Sequence, residues 1–301
     1  LPYRADGGGH SGALLGGASG PVWEANHVWL IFLVVLLFSG FPVAFSALVT
    51  ALFWPLHLAL AGIVLRGSAF VFRAYGRAPL GLPDIWPHLF GIASVLTPFA
   101  FGAALATLAA GGIRADVAGG LAAGSDVAWI RPFPIVAGLL ALALCAYLAA
   151  VYLTLETTGE VQQDFRRRAL GAWLVAGVLS LATLGLATGE APRFLGSLLQ
   201  PPALLLAAAG ALLAPASGYA LLRAAYKPAR VLAAGQVGLL LASWAAAQYP
   251  YIIYPDHSVA TSAASAATVT ALLWTTPFGF AVLVPSLVVL FAVFKGEKRS
   301  R

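Results

Sequence analysis

ANHVWLIFLVVLLFSGFPVAFSALVTALFWPLHLALAGIVL, residues 25–65, runs for 41 residues without an Asp, Glu, Lys or Arg. At about 1.5 Å per residue a single helix of this length would reach about 60 Å, twice the roughly 30 Å of a bilayer's hydrocarbon core. The stretch must therefore fold back. Pro42, Ser46, Thr50 and Pro55 mark the zone of the turn, giving one helix over 21–48 and a second over 50–73. Ser19 ahead of Pro21 supplies a cap and a first-turn proline for the first of them.

Six more stretches lack those four charged residues: 85–113, 132–155, 169–189, 194–222, 231–255 and 257–294. They predict helices over 85–112, 132–155, 169–188, 196–222, 231–249 and 266–294. Tyr249-Pro250 closes the seventh, and the polar run from His257 to Ser265 reads as an interfacial loop before the eighth. Trp86, Trp129, Tyr249, Tyr251 and Tyr254 fall at span ends, as an aromatic belt requires. The fold class is an all-α integral membrane protein of eight transmembrane helices with short loops. It forms a single membrane domain, 1–301, that opens on a polar segment, 1–19.

Composition agrees. Charged residues are 9% of the chain, against about 25% in a soluble domain, and apolar residues are 60%. Too few polar groups exist to cover a water-facing surface. The net charge of +6 comes from basic residues dispersed between apolar runs, not clustered with aromatics, which excludes a nucleic-acid binder. Cys145 is the one cysteine, so neither an intrachain disulfide nor a CxxC metal site can form. The chain has no methionine and starts on a glycine-rich stretch without a signal-like apolar core, so we expect it to be a piece of a longer product or to have lost its N-terminus.

The basic residues set the orientation. In alternate connections, Arg4, Arg66, Arg73, Arg77, Arg166, Arg167, Arg168, Arg223, Lys227, Arg230, Lys295, Lys298, Arg299 and Arg301 fall on one side. Only Arg114, Arg131 and Arg193 fall on the other. The positive-inside rule places the fourteen, and both ends of the chain, in the cytoplasm.

Ten of the eleven acidic residues, Asp256 among them, lie in connections or at helix edges and read as solvated. Glu24 lies one turn inside the first helix. It reads either as a first-turn acid facing the helix dipole or, with Asn26 and His27 on the next turn, as a polar entry route for protons or ions. Arg66 sits seven residues before Arg73, deeper than a terminal cation. It either snorkels to the surface or pairs with an acid, and a contact with Glu24 follows if the turn centres near residue 45. His27, His57 and His88 are embedded or nearly so, His10 and His257 lie in loops, and no HxxxH pair occurs, so hydrogen-bonded histidines are favoured over metal or haem ligands. Ser180, Thr183, Ser217, Gln236 and Ser243 are scattered, uncharged polar residues inside spans.

Gly20-Pro21-Val22-Trp23-Glu24-Ala25-Asn26-His27-Val28-Trp29-Leu30 resembles the signature of subunit II of cytochrome bd-type quinol oxidases. The Phe41-Pro42 step and Leu65-Arg66-Gly67-Ser68-Ala69-Phe70-Val71-Phe72-Arg73 continue the likeness. So do Leu96-Thr97-Pro98-Phe99, Tyr249-Pro250 with Pro255, Pro285-Ser286-Leu287 and Phe294-Lys295-Gly296, in family order along the chain. The C-terminal form and short loops are similar to the cyanide-insensitive branch. The resemblance implies a nine-helix fold of which the first helix is missing here. It implies a haem-free scaffold in the bacterial cytoplasmic membrane, partnered by a haem-bearing subunit I that holds haems b and d. A small single-helix accessory subunit and membrane lipid are further expected neighbours. The complex would oxidise quinol and reduce oxygen to water, and this chain would bind no cofactor or metal of its own. By motif match, Glu24 and Arg66 take the positions of a cytoplasmic proton path, with Asn26 and His27 beside them. Val71 stands where members often carry an acid, which interrupts any route relying on that carboxylate. The competing reading, from the polar residues within spans, is a secondary transporter or channel with a polar site between helices.

Overall fold

The computed structural model describes residues 29–75, 85–116, 118–124 and 127–296, with side chains described through 72 and through 289 at the ends of the first and last of these segments. In chain order the elements are α1 (Trp29–Gly40), α2 (Pro42–Ala51), α3 (Phe53–Tyr75), α4 (Trp86–Ala110), α5 (Pro132–Glu156), α6 (Gly159–Glu190), α7 (Pro192–Leu198), α8 (Ala203–Leu222) and α9 (Tyr226–Gln248). A two-stranded hairpin, β1 (Tyr251–Ile253) and β2 (His257–Ser258), then leads to α10 (Val259–Ser262) and α11 (Ala266–Gly296). Among the described residues, seven helices are long and apolar enough to cross a membrane, or eight if α1 and α2 make one span. The protein is an all-α membrane protein apart from that short hairpin.

The chain divides into two compact units, one of residues 1–45 and 261–301, the other of residues 46–260. In the first, α1 runs antiparallel to α11. Gly40 O accepts the Ala264 N–H at 2.8 Å, while Trp29 and Phe32 meet Phe280 at ring distances of 5.5 and 5.3 Å. The helix predicted over 21–48 breaks at Phe41, earlier than expected. Pro42 brings no N–H and disfavours helical geometry in the residue before it, so Gly40-Phe41-Pro42 interrupts the run before Ser46 or Thr50 can.

In the second unit, α3 packs on α4, α4 on α5, α5 on α6 and α8 on α9. The helices alternate in direction, so Ala110, Pro132, Glu190, Ala203 and Gln248 share one end with the hairpin. Glu156, Gly159, Leu222 and Tyr226 share the other. We call these the hairpin end and the basic end. The core is built from small side chains: Ala106, Ala109, Ala187, Ala191, Ala203 and Ala247 towards the hairpin end, and Ala150, Ala169, Ala220, Ala229 and Ala233 towards the basic end. In lipid, where apolar burial drives little association, close backbone approach between helices supplies the packing. Gly138 shows the tolerance, since a Cβ there would lie 2.8 Å from the Phe99 ring.

Two further helices differ from expectation. The predicted 169–188 helix is α6, which starts at Gly159. Seven of its first ten residues are charged or polar, of which Glu160, Gln162, Gln163, Arg166, Arg167 and Arg168 are good helix formers, and Arg168 pairs with Asp164 one turn back at 2.8 Å. Absence of charge marks only the part of a helix that lies in hydrocarbon. The predicted 196–222 helix is split into α7 and α8, because Pro201-Pro202 removes two consecutive N–H donors. α4 ends as its sequence requires, with Gly111 left-handed at φ 75° and its N–H on Leu108 O.

Candidate functional site

Glu24, Asn26 and His27, and with them the expected Glu24–Arg66 contact, lie outside the described residues. Arg66 is described. It belongs to the stripe of α3 that includes Ala59, Gly62 and Ala69, all buried towards α4, yet its own side chain is exposed. Its guanidinium lies 5.2 Å from the centroid of the Phe90 ring of α4 and has no ion pair among the described residues. A cation over an aromatic face gains about 0.5–1 kcal/mol at an exposed site, so Phe90 helps to fix where the Arg66 guanidinium rests. Val71, in the position where the resemblance expects an acid, is exposed beside Phe72, which stacks on Trp86 at 4.5 Å.

Of the scattered polar residues, the structure brings two together with a tyrosine. Tyr147 of α5, fully buried, donates its hydroxyl to Ser217 Oγ of α8 at 2.9 Å. Ser217 Oγ in turn lies 2.8 Å from Ala214 O and 3.3 Å from Gln236 Oε1 of α9, with one proton to offer between them. Ala214 O also accepts the indole N–H of Trp173 at 2.8 Å. Four helices thus meet at one polar knot, next to the interior Pro215. Ser180, Thr183 and Ser243 instead satisfy themselves on carbonyls of their own helices. Of the five expected residues, Ser217 and Gln236 are brought together.

The basic end gathers Arg166, Arg167, Arg168, Arg223, Lys227 and Arg230. Arg166 caps α8, donating to Leu221 O at 2.7 Å and also to Leu222 O, two carbonyls that lack partners within the helix. Arg230 lies over Tyr152 at 5.6 Å.

At the hairpin end a cluster forms that sequence reading passed over. Arg114 donates twice to Asp256, Nε to Oδ2 at 3.0 Å and Nη2 to Oδ1 at 3.1 Å. The Ala115 N–H adds a third bond to Oδ2 at 2.9 Å. His257, buried, has its Nε2 3.0 Å from Asp116 O. The Asp116 carboxylate itself receives the Ala118 and Gly120 N–H groups, which closes the turn. These bonds clasp the loop after α4 to the hairpin. Asp256 is therefore not a solvated connection residue. Burial would raise its pKa, but the hydrogen bonds from Arg114 and Ala115 and the charges of Arg114 and His257 outweigh that and hold it below the ordinary carboxylate value. Arg193 of α7 rests on Tyr254 and Tyr251, at 4.0 and 5.1 Å. Burial pulls its pKa down from the ordinary arginine value, against the opposing pull of the two phenols. The signal that could have found the clasp is topological: Arg114 and Asp256 are opposite charges in connections that the span count places on the same face.

The described histidines do not fit haem ligation as a set. His57 Nδ1 is bonded to Phe53 O at 2.7 Å and its ring lies on Phe53. His88 is on the first turn of α4, at the opposite end of that helix from His257. Among the described residues no three His, Cys, Asp or Glu side chains converge on a metal-sized centre.

A sequence model of the cytochrome bd terminal oxidase subunit II family matches residues 11–294. A cytochrome bd ubiquinol oxidase subunit 2 from Bacillus subtilis is 30% identical over 176 residues, 56% of this chain and 48% of the relative. The cytochrome bd-I ubiquinol oxidase subunit 2 of Escherichia coli K12 is 27% identical over 158 residues, 52% of this chain and 41% of that one. The aligned part thus spans less than half the length of each relative. Among solved structures, a chain of the bd oxidase from Geobacillus thermodenitrificans superposes with a TM-score of 0.77 at 20% identity, covering 93% of this chain and 86% of that one, which is a likeness of fold.

Proposed function

Because this chain belongs to the cytochrome bd terminal oxidase subunit II family, we propose that it is the haem-free partner of a haem-bearing subunit in a membrane quinol oxidase. In that complex quinol is oxidised and oxygen reduced to water on the partner's haems, which lie outside this chain. The observation that carries the reading is the family match along 284 residues, from 11 to 294, which spans both compact units. A scaffold role is supported by the alanine-rich helix contacts and the polar knot that joins four helices. By the positive-inside rule the basic end faces the cytoplasm and the hairpin end faces outward. Membrane lipid and a single-helix accessory subunit would cover exposed helix faces such as that of α6, where Leu181 is 74% exposed.

Within this reading Glu24 and Arg66 would serve a proton path from the cytoplasm, with Asn26 and His27 at its entrance. What supports this is an arginine within the apolar span of α3, seven residues before Arg73, that rests on an aromatic ring and has no ion pair among the described residues. Two measurements test the proposal. The chain is expressed in its host, and a co-purifying haem subunit with its absorption spectrum supports the oxidase reading, whereas purification alone and without haem overturns it. Oxygen consumption and proton uptake are then compared for wild type and Glu24→Gln. A fall of tenfold or more supports the path, since a positioned proton-transfer group contributes about 10²–10⁴-fold. Unchanged rates leave a purely structural subunit.

A further inference from the structure

We propose that the root of the β1–β2 hairpin encloses ordered water, hydrogen-bonded to the Gln248 amide and to Nη1 of Arg193. Gln248 closes α9 and is only 5% exposed, and both Oε1 and Nε2 are buried without a protein partner. Nη1 of Arg193 is buried without one as well. The two residues lie where α7 packs on the end of α9. Phe194 and Ala191, the neighbours of Arg193, pack with Ala247, the neighbour of Gln248. The rings of Tyr251 and Tyr254 on which Arg193 rests follow Gln248 by three and six residues.

The chemistry of the three atoms selects the guest. Buried polar atoms nearly always find a partner, and leaving one without costs about 1–3 kcal/mol. Nε2 and Nη1 can only donate, and Oε1 can only accept. An anion would suit the two donors but be repelled by Oε1. A metal cation or hydronium would suit Oε1 but be repelled by the guanidinium. A neutral guest that both donates and accepts, and is small enough for a site with less than 1 Å² of exposure at each atom, is water. The inference rests on these atoms and stands whether or not the chain works in an oxidase.

The test uses the purified complex containing the full chain. A cryo-EM map at about 2 Å should show a discrete peak within about 3.5 Å of both amide atoms of Gln248. A bare site, or density continuous with a side chain from another subunit, overturns the proposal. Gln248→Met provides an independent sign. If water is held there, methionine expels it and strands the arginine, and the melting temperature falls by about 2–4 °C or more. If the amide is dry, the same substitution relieves an unsatisfied group, and an unchanged or raised melting temperature overturns the inference.

Discussion

Asp256→Asn keeps the shape of the side chain at the hairpin end but removes its charge. The carboxylate now takes two bonds from Arg114 and one from the Ala115 N–H, with 19% of its side chain exposed and 49% of that of Arg114. Hydrogen bonds to charged groups contribute about 1.5–3 kcal/mol when buried, and exposed pairs about 0.2–1 kcal/mol. Arg114 is half in solvent, so the clasp should weaken by about 1–2 kcal/mol. At about 1.4 kcal/mol per decade, that is a 5- to 30-fold rise in the open population. Hydrogen exchange followed by mass spectrometry reads it at the Ala115 and Ala122 amides, the second of which is bonded to Arg114 O at 3.0 Å. Exchange should accelerate there and remain unchanged in α5 and α8. Acceleration below twofold, or spread across the whole chain, would refute the reasoning. The pH dependence follows from the lowered pKa. A carboxyl depressed in the folded state stabilises fully above its ordinary value, near 3.8, and loses that contribution as pH falls through the folded value. Protection, corrected for intrinsic exchange, should thus be flat from pH 8 to about 5 and decline only below about 3.8.

Three other outcomes are expected. Tyr147→Phe and Ser217→Ala should each lower stability by about 1 kcal/mol, and the double variant by less than their sum, because both break the 2.9 Å bond; strict additivity in thermal unfolding would separate the two residues. Gly218→Leu should cost about 1–3 kcal/mol or more and lower the yield of folded protein, since even a Cβ would lie 2.9 Å from the Trp173 indole, whereas Gly177→Leu, with nothing within 4 Å, should be tolerated. Arg166→Met, which keeps the apolar stem but removes the cap from Leu222 O and leaves Leu221 O only the Ala224 N–H, should destabilise by about 1–2 kcal/mol in a melting assay, with Arg167→Met as the silent comparison.

The span pattern was readable because lipid imposes it locally. A charge-free run of about 20 residues has few alternatives to a helix, and prolines such as Pro132 place its first turn. The misplacements come from features that a charge count does not weigh. Phe41-Pro42 breaks a helix inside an apolar run, Pro201-Pro202 splits another, and Gly159–Arg168 stays helical through its charges. Arg66 stood out as a deep cation, but its resting place on Phe90 depends on how α3 and α4 meet. The Arg114–Asp256 pair joins residues 142 apart, and Gln248 is an unremarkable residue in a helix until its burial is seen. Such sites arise from contacts between elements and leave no local spacing to read.

The charged first turns of α6 have a practical side. Ten residues from Gly159 to Arg168 continue the helix without interruption, about 15 Å of backbone that Gln162 ties to Thr154 O of α5 and Arg166 ties to the end of α8. A binder raised against its exposed charged face, or a rigid helical fusion grafted onto it in register, would carry its orientation into the bundle. It would give particle images of this protein a fixed landmark.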